Sequence, residues 1–344
     1  MDTSIKSLSL TQFHDVIDDA HLPSFRAGQI LSWVYGKGIS SYDEMTNVPK
    51  TLREQLALSY PLNPPQLIER LDSRDESRKY LIKYPDGALV ETVGLPSHDG
   101  RLTVCISSQS GCAMGCIFCA TGKNGLTRSL EPGELVDQVL LVQNDFGKKV
   151  TNVVVMGQGE PFSNYESVIE GLRIINHPKL LSIGARHITI STCGVLSGIR
   201  KLSAEPEQFT LAVSLHAARQ EIRDQLIPAM RNQSLFDLRA DLESYSQLTG
   251  RRFSFEYALM RDLNDSNEDL EALISYCKGL LCHVNLIPLN EIKGSSIRPV
   301  NNQTIQFWNN RLEKAGIASS IRKSKGSDIA AACGQLAAKH TFRE

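Results

Sequence analysis

From Leu102 onward the chain alternates short apolar runs with longer amphipathic ones, and few folds tolerate that rhythm. The apolar runs over 102–107, 152–157, 187–192, 209–215, 253–260 and 283–289, with a shorter one over 319–323, read as strands. Between them, 132–146, 165–176, 235–248, 268–278 and 304–315 carry helical periodicity, and Pro132 after Glu131 suits a first helical turn. Near-continuous apolar strands joined by amphipathic helices predict an α/β chain with a parallel sheet, and about six such units predict an open or partial (β/α)6 barrel.

The residues before this region have a different character. Helical periodicity over 10–35 and 50–60 places Phe25, Ile30, Leu31 and Trp33 among apolar positions, with Arg26 and Lys37 nearby. Runs over 79–84 and 88–95 flank Pro85-Asp86-Gly87 and predict a hairpin. We therefore expect a small α+β accessory domain over 1–97, ending in the polar stretch Ser97–Arg101. A barrel core over 98–328 and a C-terminal segment over 329–344 follow. No internal repeat or low-complexity segment is found. At 344 residues, 41% hydrophobic and 22% charged, the chain has material for a large core.

Thirty-seven basic against 38 acidic residues leave a net charge of −1, which excludes a globally basic protein coating nucleic acid. Local clusters remain, Arg251-Arg252 and Arg322, Lys323 and Lys325, which RNA contact and plain solvation explain equally well. No apolar run approaches the roughly 18 residues of a membrane span, and Met1–Leu10 has no apolar signal core. The expectation is a cytoplasmic protein with no membrane partner.

Cysteines sharpen the functional reading. Of eight, four fall between 105 and 119, and Cys112, Cys116 and Cys119 form a C-x-x-x-C-x-x-C run. Three thiolates on one tight loop fill three metal positions and leave a fourth open, whereas a structural zinc site is closed by four ligands. A zinc site completed by a distant His or Cys is the plainer alternative. Phe118 would shield one face of the bound metal. In parallel α/β folds ligands collect at the C-terminal ends of the strands. Here those ends read Gly157-Gln158-Gly159-Glu160-Pro161, Ser191-Thr192-Cys193-Gly194, Ser214-Leu215-His216 and Pro288-Leu289-Asn290.

Taken singly, each of these residues has a bland reading. The glycines serve a tight turn, Glu160 caps a helix, His216 is a satisfied polar side chain, and Cys105 packs within a strand. Cys333, after a run of alanines, reads as a small buried hydrophobe, and Cys193, Cys277 and Cys282 as core or incidental. Strand alternation puts Glu91 on a face with Leu89, Val93 and Leu95, where a carboxylate needs a partner or a task.

The three-cysteine run resembles that of the radical S-adenosylmethionine (SAM) superfamily. Together with Cys105-Ile106-Ser107-Ser108-Gln109, Cys119-Ala120-Thr121-Gly122, Gly159-Glu160-Pro161, Ser214-Leu215-His216-Ala217 and Ala332-Cys333-Gly334-Gln335-Leu336, the chain resembles the RlmN/Cfr adenine methyltransferases. The likeness extends to Phe25-Arg26-Ala27-Gly28-Gln29-Ile30 and spans essentially the whole chain. It departs from the family pattern at Gln158, at Phe162-Ser163 and at Cys193.

The resemblance implies a 4Fe-4S cluster on Cys112, Cys116 and Cys119, with SAM held near Gly159, Glu160, Ser191, Ser214, Leu215, His216 and Asn290. It further implies a methyl-accepting Cys333, a Cys105 that releases product through a transient disulfide, and Glu91 as proton acceptor. An adenine ring carbon and a SAM methyl are both electrophilic, so a thiol relay and a radical are needed to join them. The implied activity is methylation of adenosine carbon 2 in 23S rRNA at the peptidyl-transferase centre, with tRNA beside the anticodon as a second substrate. A low-potential electron donor such as flavodoxin and a monomeric state go with it.

Three competing readings are carried. One is carbon-8 methylation of the Cfr type, against which Pro161 counts. The others are a radical SAM enzyme acting on a protein or small molecule, and a non-catalytic metal-containing RNA-binding module.

Overall fold

The computed structural model describes residues 4–19, 23–292 and 294–337. The chain opens with a helical unit: a 3-10 turn (Ile5–Ser7), α1 (Leu10–Asp19), α2 (Phe25–Leu31), a wide helical turn (Ser32–Lys37), a second 3-10 turn (Tyr42–Glu44) and α3 (Lys50–Ser59). Next come β1 (Gln66–Asp72), β2 (Arg78–Lys83) and β3 (Leu89–Pro96), paired antiparallel in that order. β2 and β3 form the expected hairpin. β1 was not expected, because its sequence QLIERLD carries charges and it lies, mostly exposed, at the edge of the sheet.

The alternation after Leu102 folds as its pattern predicts. β4 (Leu102–Ile106) precedes a small hairpin of β5 (Gln109–Gly111) and β6 (Leu126–Ser129). Then α4 (Pro132–Phe146), β7 (Asn152–Val155), α5 (Tyr165–Asn176), β8 (Ile188–Thr192), α6 (Leu196–Ala204) and β9 (Thr210–Ser214) alternate. α7 (Gln220–Leu226), α8 (Leu235–Thr249), β10 (Phe253–Leu259), α9 (Asn267–Cys277), β11 (Cys282–Pro288), α10 (Asn302–Lys314) and β12 (Ser319–Ile321) complete the series.

One sheet runs β1-β2-β3-β4-β7-β8-β9-β10-β11-β12, and every neighbouring pair from β4 to β12 is parallel. Six helical crossovers link these parallel strands, giving the (β/α)6 arrangement. β3 pairs with β4, so the sheet passes unbroken across the polar turn at 97–101. No helix among the described residues is long and apolar enough to cross a membrane.

Local chemistry fixes the element ends. Pro132 opens α4, Glu131 and Glu134 close a capping box around its first turn, and Gly147 ends it in the left-handed region. Ser234 caps α8 and Ser266 caps α9. The main core fills the helix-covered face of the sheet, with Val153, Val155, Ile188, Ile190, Leu211 and Val213 all buried there.

Beyond β12 the chain crosses the mouth formed by the strand ends. Asp75 accepts from the Gly326 N–H at 2.9 Å, and Asp328 accepts from Ser73 Oγ at 2.6 Å and the Arg74 N–H at 3.1 Å. Lys79 Nζ donates to the Ala330 carbonyl at 3.2 Å, and Thr121 Oγ1 to that of Leu336 at 2.7 Å. These contacts strap the segment bearing Cys333 to the β1–β2 turn and to the loop after β4.

Candidate active site

The loop after β4 is built by its neighbours. The Cys112 N–H donates to the Gly125 carbonyl at 2.8 Å, that of Ile117 to Leu226 at 3.1 Å, and that of Ala120 to Gly334 at 2.7 Å. It is thus held by the β5–β6 hairpin, the end of α7 and the C-terminal strap. Cys112, Cys116 and Cys119 line one cavity with Gly159, Glu160, Ser191, Ser214 and His216. Among the described residues no three His, Cys, Asp or Glu side chains converge as ligands of a single metal ion would. Three soft thiols spread along a loop suit the separate corners of an iron–sulfur cluster, and the cavity leaves room for a ligand beside them.

Gly159 shows why this wall needs its residue types. Its φ is +100°, and a Cβ there would meet Gln109 Cβ at 2.6 Å and Ser108 Oγ at 2.7 Å. The next residue, Glu160, is buried. Its carboxylate accepts from the Phe162 N–H at 3.0 Å and the Cys193 N–H at 2.6 Å, fixing two strand-end loops. Burial pushes its pKa up, against those hydrogen bonds. His216, at φ +55°, accepts the Ala258 N–H on Nδ1 at 3.0 Å, so in its neutral form the proton is on Nε2. Burial, with the Arg223 charge adding to it, pushes the pKa of His216 down to about 3. Its ring packs edge-to-face with Phe118, centroids 4.6 Å apart.

An adjoining cavity of about 270 Å³ is lined by Cys105, Cys333, Asn290, Arg101, Lys323 and Lys325, among others. Eight residues line both cavities, Cys119, Met156, Arg322 and Cys333 among them. Cys105 and Cys333, 228 positions apart in sequence, therefore face one chamber beside the three-thiol loop, and both are free thiols. Burial, with the Cys333 thiol adding to it, pushes Cys105 up to about 12.

Not every expected residue lies on these walls. Leu215 is fully buried and lines neither cavity, its N–H donating to the Glu256 carbonyl at 3.1 Å and its carbonyl accepting from Arg223. Asn290 lines the second cavity rather than the first and donates to the Cys333 carbonyl at 3.2 Å, fixing the cysteine's turn. Glu91 lines neither cavity. Its buried carboxylate pairs with Lys79 Nζ at 2.9 Å and accepts the Ala337 N–H at 2.6 Å beneath the strap.

Two sequence readings are refined. Cys193, read as core or incidental, packs against a small apolar cluster and also lines the first cavity. Arg322, left open between RNA contact and plain solvation, is half-buried and lines both cavities. Of the departures from the family pattern, Gln158 ties down the Glu91 N–H at 3.1 Å, and Phe162 fills space that a Cβ on Gly198 would occupy.

Sequence reading missed three supports. Glu256, buried within β10, lines the first cavity. Arg223 is buried and donates to the Ser214 carbonyl at 3.0 Å and to those of Leu215 and Cys193, gathering two strand ends. Asn264 donates to the His216 and Ala258 carbonyls at 2.6 and 2.8 Å. A lone carboxylate in FSFEYAL was a signal for Glu256, whereas Arg223 sits in an ordinary amphipathic helix.

A parallel (β/α)6 sheet with three thiols and a ligand cavity at its strand ends defines a radical SAM enzyme, and residues 106–275 match the radical SAM superfamily. Residues 3–60 match the ribosomal RNA large subunit methyltransferase N-terminal domain. The chain is 42% identical to a probable dual-specificity RNA methyltransferase RlmN of Pelotomaculum thermopropionicum, across 98% of this chain and 92% of the relative. It is 41% identical to that of Clostridium novyi, across 97% of each. The crystal structure of a radical SAM methyltransferase from Sphaerobacter thermophilus superposes with a TM-score of 0.93 at 41% identity, covering 98% of this chain and all of that one. The chain belongs to the RlmN family of radical SAM RNA methyltransferases, whose cofactors are a 4Fe-4S cluster and SAM.

Proposed function

We propose that this enzyme methylates carbon 2 of an adenosine in 23S rRNA at the peptidyl-transferase centre, and that tRNA beside the anticodon is its second substrate. The observation that carries the reading is the shared chamber of Cys105 and Cys333 beside the three-thiol loop. Its relatives are probable dual-specificity RNA methyltransferases, which supports two RNA substrates.

Cys112, Cys116 and Cys119 would hold the cluster. Gly159, Glu160, Ser191, Ser214 and His216 would hold SAM, with Leu215 packed between the last two. The bound cluster, reduced by a low-potential donor such as flavodoxin, and SAM supply the methyl group and a carbon-centred radical. Cys333, on the strap, accepts the methyl and presents it as a thioether. Asn290 holds the turn from which it does so.

The carbon joined to the adenine ring must then lose one proton and one electron, and the electron would return to the bound cluster; Glu91, the expected proton acceptor, is held by Lys79 and the Ala337 N–H outside both cavities. The Cys105 thiolate then attacks the Cys333 sulfur. An S–S bond forms, the bond from sulfur to the new carbon breaks, and its electron pair stays with the product, which takes up a proton. The chamber beneath the strap keeps water from the radical.

RNA grip is assigned to the helical unit that precedes β1. In the helical unit Arg26 stacks on the exposed Phe25 and Lys37 on Trp33, cations and rings suited to RNA.

The test is expression in a host lacking its own adenine carbon-2 methyltransferase, with rRNA and tRNA digested separately and nucleosides identified by mass. 2-Methyladenosine in rRNA is expected, with tRNA as the second fraction to carry it. 8-Methyladenosine instead would overturn the assigned carbon. No methyladenosine from a cluster-loaded chain would overturn the substrate.

A further inference from the structure

Arg322 lines both cavities, as Cys333 does. Arg322 follows β12, its backbone N–H anchored on the Leu286 carbonyl at 2.9 Å. Its charge is only loosely engaged. Nη1 lies 3.6 Å from Glu256 Oε2 and 3.7 Å from Met156 Sδ, and that carboxylate oxygen has no hydrogen-bond partner of its own. Glu256 is meanwhile fixed through its other oxygen by Asn285 Nδ2 at 2.8 Å and Ser254 Oγ at 3.0 Å. A guanidinium with donors to spare thus lines the same chamber as the two thiols.

We propose that Arg322 is a positioning residue that stabilises the thiolate of Cys333 and then that of Cys105, one after the other. The proposal rests on the relay reading above. A buried thiol resists ionisation, and an adjacent permanent cation favours the anion. Cys333 is the largest electrostatic influence on Arg322, and Arg322 opposes the effect of burial on Cys105.

In the first step the Cys333 thiol gives its proton to water at the chamber mouth. Its sulfur lone pair forms the new bond to the SAM methyl. The sulfonium carbon–sulfur bond breaks, and its electron pair stays on the departing thioether. Methylation makes Cys333 neutral, so the guanidinium is left to favour ionisation of Cys105, whose thiolate is the one needed for release. One arginine then serves both thiols because only one needs to be an anion at a time.

The other charged and titratable groups around the chamber are Arg101, Lys323 and Lys325 on its wall, Cys119 on the loop, and the Lys79–Glu91 pair under the strap. Arg322 is the charged residue that also reaches the first cavity's wall beside Glu256 and Glu160.

The test uses full chain made under iron limitation, then loaded anaerobically with iron and sulfide and kept free of SAM, so that Cys333 starts unmethylated. Iodoacetamide labelling of Cys333 and Cys105 is followed by peptide mass across pH. In Arg322→Gln the Cys333 labelling midpoint is expected to rise by about one unit, a tenfold slower reaction below the midpoint. Arg322→Lys, which keeps the charge, should restore most of the loss. Arg322→Met is the second neutral variant, and cluster absorbance per chain shows which variants are loaded. An unmoved midpoint in a loaded neutral variant overturns the inference. Adding SAM to the parent chain separates the two readings. If Cys333 gains no methyl mass the relay falls, whereas methylation with an unmoved midpoint removes only the role of Arg322.

Discussion

Cys105 and Cys333 are the residues on which the chemistry turns, and each has its own expected failure. Cys333→Ala should keep the cluster and lose methyl transfer, because no thiol is left to accept the group. Cys105→Ala should still reach the adenine but not release it, leaving RNA covalently bound to Cys333. Denaturing gels and peptide mass would show the adduct, and free methylated RNA from Cys105→Ala would sink the release step. His216 makes a different prediction. Its folded pKa of about 3 lies below the usual 6.5, because burial disfavours the charged ring. The unfolded chain therefore binds one more proton in this window. The contribution of His216 to stability is complete above about pH 6.5 and is lost as pH falls from there toward 3. Urea unfolding of His216→Asn should show a shallower fall in stability below pH 6.5 than the parent; equal slopes would assign the fall to other groups. At this scale the sequence was partly legible. The three cysteines, Gly159, Glu160 and His216 stand out because strand ends collect ligands. Arg223 and Asn264 do not, since their work is to bind carbonyls of loops that are distant in sequence.

Elements were read best where capping chemistry is written in the residues. α4 runs from Pro132 to Phe146 as predicted, because Pro132 can open a helix and Gly147 can close one. α6 was missed because it is short and carries Gly198, which is there to admit Phe162. The strap was read as a segment carrying Cys333, but not as tied down by Asp75, Asp328 and Lys79, since those contacts join residues some 250 positions apart. The turn after β7 gives the element-scale prediction. Gly159→Ala places a Cβ against Gln109 and Ser108 at a φ of +100°, at a cost of ~1–3 kcal/mol from backbone strain alone, plus the clash. Because the Glu160 N–H donates to Gln109 Oε1 at 2.9 Å, the turn cannot move without shifting Glu160. SAM affinity, measured by equilibrium binding to the loaded chain, should fall more than global stability does. A variant with parent-like affinity would show that the turn does not shape the SAM site.

The whole molecule joins its two parts through polar as well as apolar contacts. The barrel was legible because the strand–helix alternation is local, whereas the joining of the β1–β3 meander to β4 in one sheet depends on pairing that no local pattern encodes. The helical unit sits on the barrel through Lys6, whose ammonium pairs with Asp137 of α4, both side chains at most 7% exposed. Gly133 allows this approach, since a Cβ there would meet Lys6 Cβ at 2.2 Å. Burial pushes the pKa of Asp137 up, and the Lys6 charge is what opposes that. Lys6→Met should leave Asp137 buried without a counter-charge and destabilise the chain by ~3–5 kcal/mol. Adding Asp137→Leu should recover most of that loss, because an apolar pair needs no desolvation of charge. Denaturant unfolding of parent, single and double variants measures both terms. If the ion pair is what seats the helical unit, the single variant should expose residues 4–59 to hydrogen exchange before the barrel opens. Unfolding of the two parts in step would instead show that apolar packing of Ile5, Val34 and Tyr35 seats it.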